Sequence, residues 1–253
     1  MAPLTANDEI GIELMLQIVG IAKHFGGLQA LSDVTVSFGR GEFVGLIGPN
    51  GSGKTTLLNC ITGIYRPDAG AIRFGKAELS GLKPHKIFQL GIGRTFQISK
   101  VFNRLSVKQN LSIPALTEGR LDREAIDART RDILVTIRME HLAETPAESL
   151  SGGQKKLLEI GMIMMTDPQF LLLDEPFGGV HPELKKQLEG YLCELHRCGK
   201  TIILISHEMP SVFRICERLV VLDRGVLITE GSPDEIRADE RVINAYLGGN
   251  NEA

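Results

Sequence analysis

Apolar positions along the 253-residue chain fall into two kinds of run. The first kind is short and rich in β-branched and aliphatic residues, over 14–21, 34–38, 43–47, 170–173, 201–206, 219–222 and 226–229. The stretches FVGLI (43–47), FLLL (170–173) and TIILI (201–205) are almost purely apolar. Side chains alternate between the faces of a strand, so a strand without polar positions is buried on both faces, as in a parallel sheet covered by helices. The second kind recurs at helical spacing, over 55–62, 154–165, 182–198 and 209–216. Strands alternating with helices predict an α/β fold with a mostly parallel sheet.

The middle of the chain breaks that alternation. From residue 91 strand signals are few, and LDREAIDARTRDILVTIRMEHL (121–142) carries helical charge patterning. This predicts a helical subdomain over 91–154, inserted into an α/β core made of 14–90 and 155–253. Residues 1–13 read as a flexible leader. Near the other end, Asp223-Arg224-Gly225 between two apolar runs predicts a hairpin turn. Ser232-Pro233-Asp234-Glu235 predicts a capping box with proline at the first helical position.

Composition narrows the partners. Lys and Arg total 28 against 31 Asp and Glu, a net charge of -3, which is no basic footprint for nucleic acid. Tryptophan is absent and aromatics make up 5%, so no base-stacking platform is expected either. Cys60, Cys193, Cys198 and Cys216 match no metal-ligand spacing and read as free thiols in a reducing compartment. No apolar run approaches the roughly 20 residues of a membrane span. The expectation is a cytoplasmic protein whose link to a membrane, if any, runs through a partner.

Two motifs carry chemistry. Gly48, Pro49, Asn50, Gly51, Ser52, Gly53, Lys54 and Thr55 fit G-x-x-x-x-G-K-[ST] between an apolar strand and a helical pattern. Glycines let successive backbone N–H groups converge on a phosphate, and the following helix adds its positive dipole end. Lys54 reaches β- and γ-phosphates, and Thr55 offers a hydroxyl to Mg²⁺. Thr56 continues the helix start. Further on, FLLL ends in Asp174 and Glu175. Ligands bind beyond the carboxyl ends of parallel strands, so both acids arrive at the phosphate loop. Asp174 is expected in the Mg²⁺ shell and Glu175 as the general base that polarises water.

A third motif identifies a resemblance. Leu150-Ser151-Gly152-Gly153-Gln154 precedes the two acids by about 20 residues, and with them and the phosphate loop the chain resembles the ATP-binding-cassette (ABC) ATPases. The resemblance implies a P-loop NTPase core with a mostly parallel sheet, an antiparallel β portion and an inserted α-helical subdomain. It implies that Ser151, Gly152, Gly153 and Gln154 present donors to a γ-phosphate held by a second protomer, with two ATP sandwiched in a head-to-tail homodimer or a heterodimer with a related cassette. It further implies that Gln97, in GRTFQ, touches Mg²⁺ and senses a membrane partner. His207, after TIILIS, would contact the γ-phosphate, and Phe25 would stack on adenine.

A narrower likeness lies in HFGGLQAL, LIGPNGSGKTTLLNCITG, GIGRTFQ, LLEIGMIMM and VINAYLGG. Over 14–249 these resemble the ATP-binding subunit of branched-chain amino acid importers and of related urea and amide importers. That implies integral membrane permease partners on the cytoplasmic face of the inner membrane, with a solute-binding protein acting indirectly. The segment 98–113, which includes Phe102 and Arg104, would dock on the permease. The alternative is a soluble, non-transport cassette such as an iron–sulphur assembly ATPase, which carries the same motifs; a DNA-repair or translation cassette is disfavoured by the acidic charge. One position departs from the family: His181 stands before Pro182 where the D-loop usually carries Asp or Asn, which bears on hydrolytic rate and coupling between sites.

Overall fold

Two sheets, both visible in a computed structural model that describes residues 13–119 and 121–248, divide the strands between them. The leader expected over 1–13 lies outside the described residues except for Glu13. Strands β1 (Leu14–Phe25) and β2 (Leu28–Gly39) form a long antiparallel ribbon. Strand β3 (Phe43–Ile47) leads into helix α1 (Lys54–Ile61). Strands β4 (Ala69–Phe74) and β5 (Ala77–Glu78) then complete the smaller sheet in the order β2-β1-β4-β5.

Helix α2 (Pro84–Gln89) and strand β6 (Ile92–Arg94) follow. Next come α3 (Val107–Glu118), α4 (Arg123–Thr136) and α5 (Gly152–Met164), which pack on one another. The second half alternates β7 (Phe170–Asp174), α6 (Pro182–Arg197), β8 (Thr201–Ile205) and α7 (Met209–Ile215). The chain continues through β9 (Arg218–Asp223), β10 (Val226–Gly231), α8 (Pro233–Ala238) and α9 (Glu240–Gly248). The larger sheet runs β10-β9-β3-β8-β7-β6, parallel throughout except for the β9–β10 hairpin.

The apolar strands behave as their composition requires. Every residue of β3, β7 and β8 is buried. Their alternation feeds two separate cores. Val44, Leu46, Phe170, Leu172, Ile203 and Ile205 join the core shared with the antiparallel sheet and α1. Phe43, Leu171, Leu173, Ile202 and Leu204 join the core shared with α3 to α7. A sheet clamped on both faces is a rigid platform for the loops at its carboxyl end.

Two expectations shift. The helical stretch begins after Arg94, because β6 pairs in register with β7 and belongs to the sheet. It does not end at 154, because α5 runs unbroken to Met164. Strands β4, β5 and β6 lie outside the expected set: β4 is half exposed with mixed polarity, and the other two are two and three residues long. The hairpin at Asp223 forms through consecutive left-handed residues, Arg224 at φ 46° and Gly225 at φ 82°. The capping box at Ser232 and Glu235 is present. Among the described residues no helix is long and apolar enough to cross a membrane.

Candidate functional site

The loop after β3 is shaped by two glycines. Gly48 sits at φ 146°, and a Cβ there would stand 2.0 Å from the Leu222 carbonyl oxygen. Gly53 caps α1 at φ 102°, and its Cβ would stand 2.7 Å from the Ala30 oxygen. No other residue fits either place, so the loop curls tightly over the helix start. The Lys54 ammonium fills the curl, donating to the Gly48 and Pro49 carbonyls at 2.8 Å each and to Ser52 Oγ at 3.2 Å. Burial lowers its pKa, and the charges of Glu175 and Asp174 oppose that shift. From behind, Tyr246 of α9 accepts a 2.9 Å hydrogen bond from the Gly48 amide. The loop is therefore held in shape before any anion arrives.

Asp174 ends β7, nearly fully buried, and its amide donates to Thr95 Oγ1 at 3.0 Å. Arg94 on the neighbouring strand places Nη2 3.4 Å from Asp174 Oδ2. Its other terminal nitrogen donates to Asn59 Oδ1 at 2.7 Å and Thr62 Oγ1 at 2.8 Å. Arg94 thus ties the carboxylate to the far end of α1.

Glu175 adopts a left-handed backbone at φ 51°, a conformation that costs a non-glycine residue about 1–3 kcal/mol. Its amide donates to the Ile205 carbonyl at 2.9 Å. One carboxylate oxygen accepts from the His207 amide at 3.2 Å. The His207 ring lies 3.4 Å from the other oxygen, without hydrogen-bond geometry. Burial raises the pKa of Glu175; the His207 amide and ring lower it, Asp174 raises it further, and Lys54 lowers it. A carboxylate strained, partly desolvated and pointed at a cavity is equipped as a proton acceptor.

A cavity of about 510 Å³ joins these parts. Phe25, Asn50, Gly51, Ser52, Gly53, Lys54, Thr55, Thr56, Gln97, Asp174, Glu175 and His207 all line it. Gly48 and Pro49 do not; their carbonyls hold Lys54 instead. The Phe25 ring, 41% exposed, lines the cavity, makes an edge contact with Tyr65 at 5.0 Å and has the Lys23 ammonium over it at 5.4 Å.

Ser151, Gly152, Gly153 and Gln154 are not brought to this cavity. Ser151 and Gln154 close a capping box on each other, with Gln154 N donating to Ser151 Oγ at 3.3 Å and Ser151 N to Gln154 Oε1 at 2.9 Å. They start α5 facing outward, with Ser151 and Gly152 exposed. His181 caps α6 without a side-chain hydrogen bond and shares a separate cleft with Gln154.

Sequence reasoning missed Arg94, Arg224 and Tyr246. Arg94 and Tyr246 lay inside quoted motifs with no role attached. Arg224 was read only as a turn residue, yet its side of the hairpin lines the cavity.

Thr55, Gln97 and Asp174 offer oxygen donors alone, including one buried carboxylate. That set suits a hard divalent cation that takes its remaining ligands from phosphate and water. Among the described residues no cluster of three or more His, Cys, Asp or Glu stands ready to hold a metal by itself.

Comparison with known proteins extends the picture. The family model described as ABC transporter matches residues 31–178. A second, described as branched-chain amino acid ATP-binding cassette transporter, matches residues 226–250. The chain is 37% identical over 250 residues to the high-affinity branched-chain amino acid transport ATP-binding protein LivG of Salmonella typhimurium, covering 92% of this chain and 98% of that protein. Its fold is similar to the ADP conformation of MJ1267, an ATP-binding cassette of an ABC transporter, at TM-score 0.84 and 32% identity, over 93% and 99% of the two chains. It is also similar to a dimeric, post-hydrolysis structure of the cassette MJ0796 bound to ADP and Pi, at TM-score 0.79 and 25% identity, over 87% and 99%.

Proposed function

Because the chain belongs to the ABC transporter family of ATP-binding cassettes, we propose that it is the ATPase subunit of an importer for branched-chain amino acids or related amides. It binds and hydrolyses ATP. The observation that carries the catalytic reading is the meeting of Lys54, Asp174 and the strained Glu175 in one cavity.

In this reading the β- and γ-phosphates lie on the amides of 50–55 and against Lys54, and the base stacks on Phe25. Glu175 takes the proton from the attacking water while His207 orients the γ-phosphate. Mg²⁺ supplies charge neutralisation when bound, and Thr55, Asp174 and Gln97 would hold it. The exposed Ser151 and Gly152 support a site completed by a second cassette, since one chain leaves these donors outside its own phosphate cavity.

Exposed apolar groups support docking on a permease. Ile98 is 76% exposed and Phe102 50%, and Leu116, 62% exposed, lines a groove between α3 and α4 with Leu105, Lys108, Ile113 and Leu121. Such a surface beside Gln97 suits membrane subunits at the cytoplasmic face of the inner membrane. The match over 226–250 favours an importer over an iron–sulphur assembly ATPase. Reconstitution with the permease subunits in proteoliposomes tests the cargo. ATP-driven uptake of labelled leucine is expected; sustained ATPase activity without uptake of any branched-chain amino acid or amide would refute it.

A further inference from the structure

The backbone that carries Gln97 changes owner within one peptide. Thr95 belongs to the sheet: its amide donates to the Leu172 carbonyl at 2.9 Å, and its hydroxyl accepts from Asp174. The backbone of Phe96, the next residue, is held by α5, while its ring lies 5.1 Å from the Arg94 guanidinium of β6. Glu159 Oε1 accepts from the amides of Phe96 and Lys100 at 3.2 Å each. Lys156 Nζ donates to the carbonyls of Phe96 at 3.0 Å and Gln97 at 2.6 Å. Positions three apart share one face of a helix, so both side chains reach the same loop. The loop has no regular secondary structure over 95–102, and its backbone groups need partners from elsewhere. Further along, Asn110 of α3 accepts from the Phe102 amide at 2.7 Å and donates to the Phe102 and Leu105 carbonyls.

Both charges are nearly sealed from solvent, Lys156 at 6% and Glu159 at 4% exposure. Burial lowers the lysine pKa and raises that of the glutamate, while each charge offsets the other's shift. An apolar pair would fill this space without desolvating two charges. The charged pair supplies what an apolar pair lacks, which is directional bonds to four specific backbone groups.

We propose that Lys156 and Glu159 are positioning residues for hydrolysis, a two-point clamp that binds the Gln97 loop to the helix beginning at Ser151. Gln97 then takes its place from α5, while Lys54, Asp174, Glu175 and His207 take theirs from the sheet. The role in hydrolysis rests on the reading of Gln97 and Ser151 given above; the clamp itself does not.

Residue-resolved amide exchange in the full-length, nucleotide-free chain tests the clamp. The Phe96 and Lys100 amides should exchange about 100-fold more slowly than an exposed amide of the same loop, such as that of Ile98. Lys156→Met should leave the ATP Kd within about twofold but lower kcat by at least about tenfold, because misplacing a positioned group costs rate more than binding. Lys156→Arg keeps donors at the loop carbonyls and should restore kcat to within about threefold of wild type. Glu159→Gln should speed exchange at Phe96 and Lys100 about tenfold while the α5 amides stay protected, since a neutral acceptor bonds more weakly. Unprotected Phe96 and Lys100 amides in the wild-type chain would overturn the clamp. An unchanged kcat in Lys156→Met would overturn its role in hydrolysis. A wild-type chain that protects these amides yet fails to bind ATP would sink the functional reading and leave the clamp standing.

Discussion

Replacing Glu175 with glutamine isolates chemistry from structure. The amide has the carboxylate's shape, and its oxygen can still accept from the His207 amide, now at 3.2 Å. The backbone strain at φ 51° is unchanged, because glutamine tolerates the left-handed region no better than glutamate. Burial already disfavours the charge on Glu175, so neutralising it should leave thermal stability within about 0.5 kcal/mol of wild type, as for a substitution that opens no cavity. A negative charge beside the phosphate site is also removed, so ATP affinity should hold or rise. What is lost is the proton acceptor. General-base catalysis contributes about 10²–10⁴ in rate, which is about 2.7–5.4 kcal/mol of barrier. Phosphate release at saturating ATP should fall by that factor, while equilibrium nucleotide binding and the melting temperature stay put. Turnover within about twofold of wild type would show that another group takes the proton, and the reasoning from strain and burial would fail with it.

Other perturbations probe the remaining parts. Lys54→Ala should weaken ATP binding by about 100-fold, because a cation–phosphate contact is worth about 1.5–3 kcal/mol and the loop loses its central bridge; equal affinity by titration would mean that the loop is misread. Ser151→Arg should leave ATP binding to one chain intact and abolish ATP-dependent dimerisation in a hydrolysis-dead background, read by gel filtration; a surviving dimer would refute the shared site. The acid limb of kcat/KM, which reports the free chain, should lie above the ordinary glutamate range near pH 4.3, since burial raises the Glu175 pKa and the base is lost as pH falls through that raised value; a limb at or below that range contradicts the desolvation argument. Substituting exposed Phe102 and Arg104 together should uncouple uptake from ATPase activity in the assembled transporter, and intact transport would put the coupling surface elsewhere.

Much of the platform was legible because its signals are local. β3, β7 and β8 are apolar at every position, and burial on both faces is the stable outcome for such a strand. The capping box at Ser232 lies within four residues, so it can be read without the fold. The phosphate loop is legible for the same reason. β6 was not, because a three-residue strand is defined by its pairing with β7 and has no periodicity of its own. The roles of Arg94 at Asp174 and of Tyr246 behind Gly48 depend on approaches across 80 and 198 residues of chain. Lys156 and Glu159 look like the polar positions of an ordinary amphipathic helix until the Gln97 loop is seen lying on them.

The central claim is that one chain holds half a hydrolytic site and that a second cassette supplies the rest. A structure of the Glu175→Gln chain with ATP and Mg²⁺ tests it directly. The account predicts a head-to-tail dimer in which each γ-phosphate lies between Lys54 of one protomer and Ser151 of the partner subunit, within hydrogen-bond distance of both. ATP bound to a monomer, or a dimer in which Ser151 remains in solvent, would contradict it.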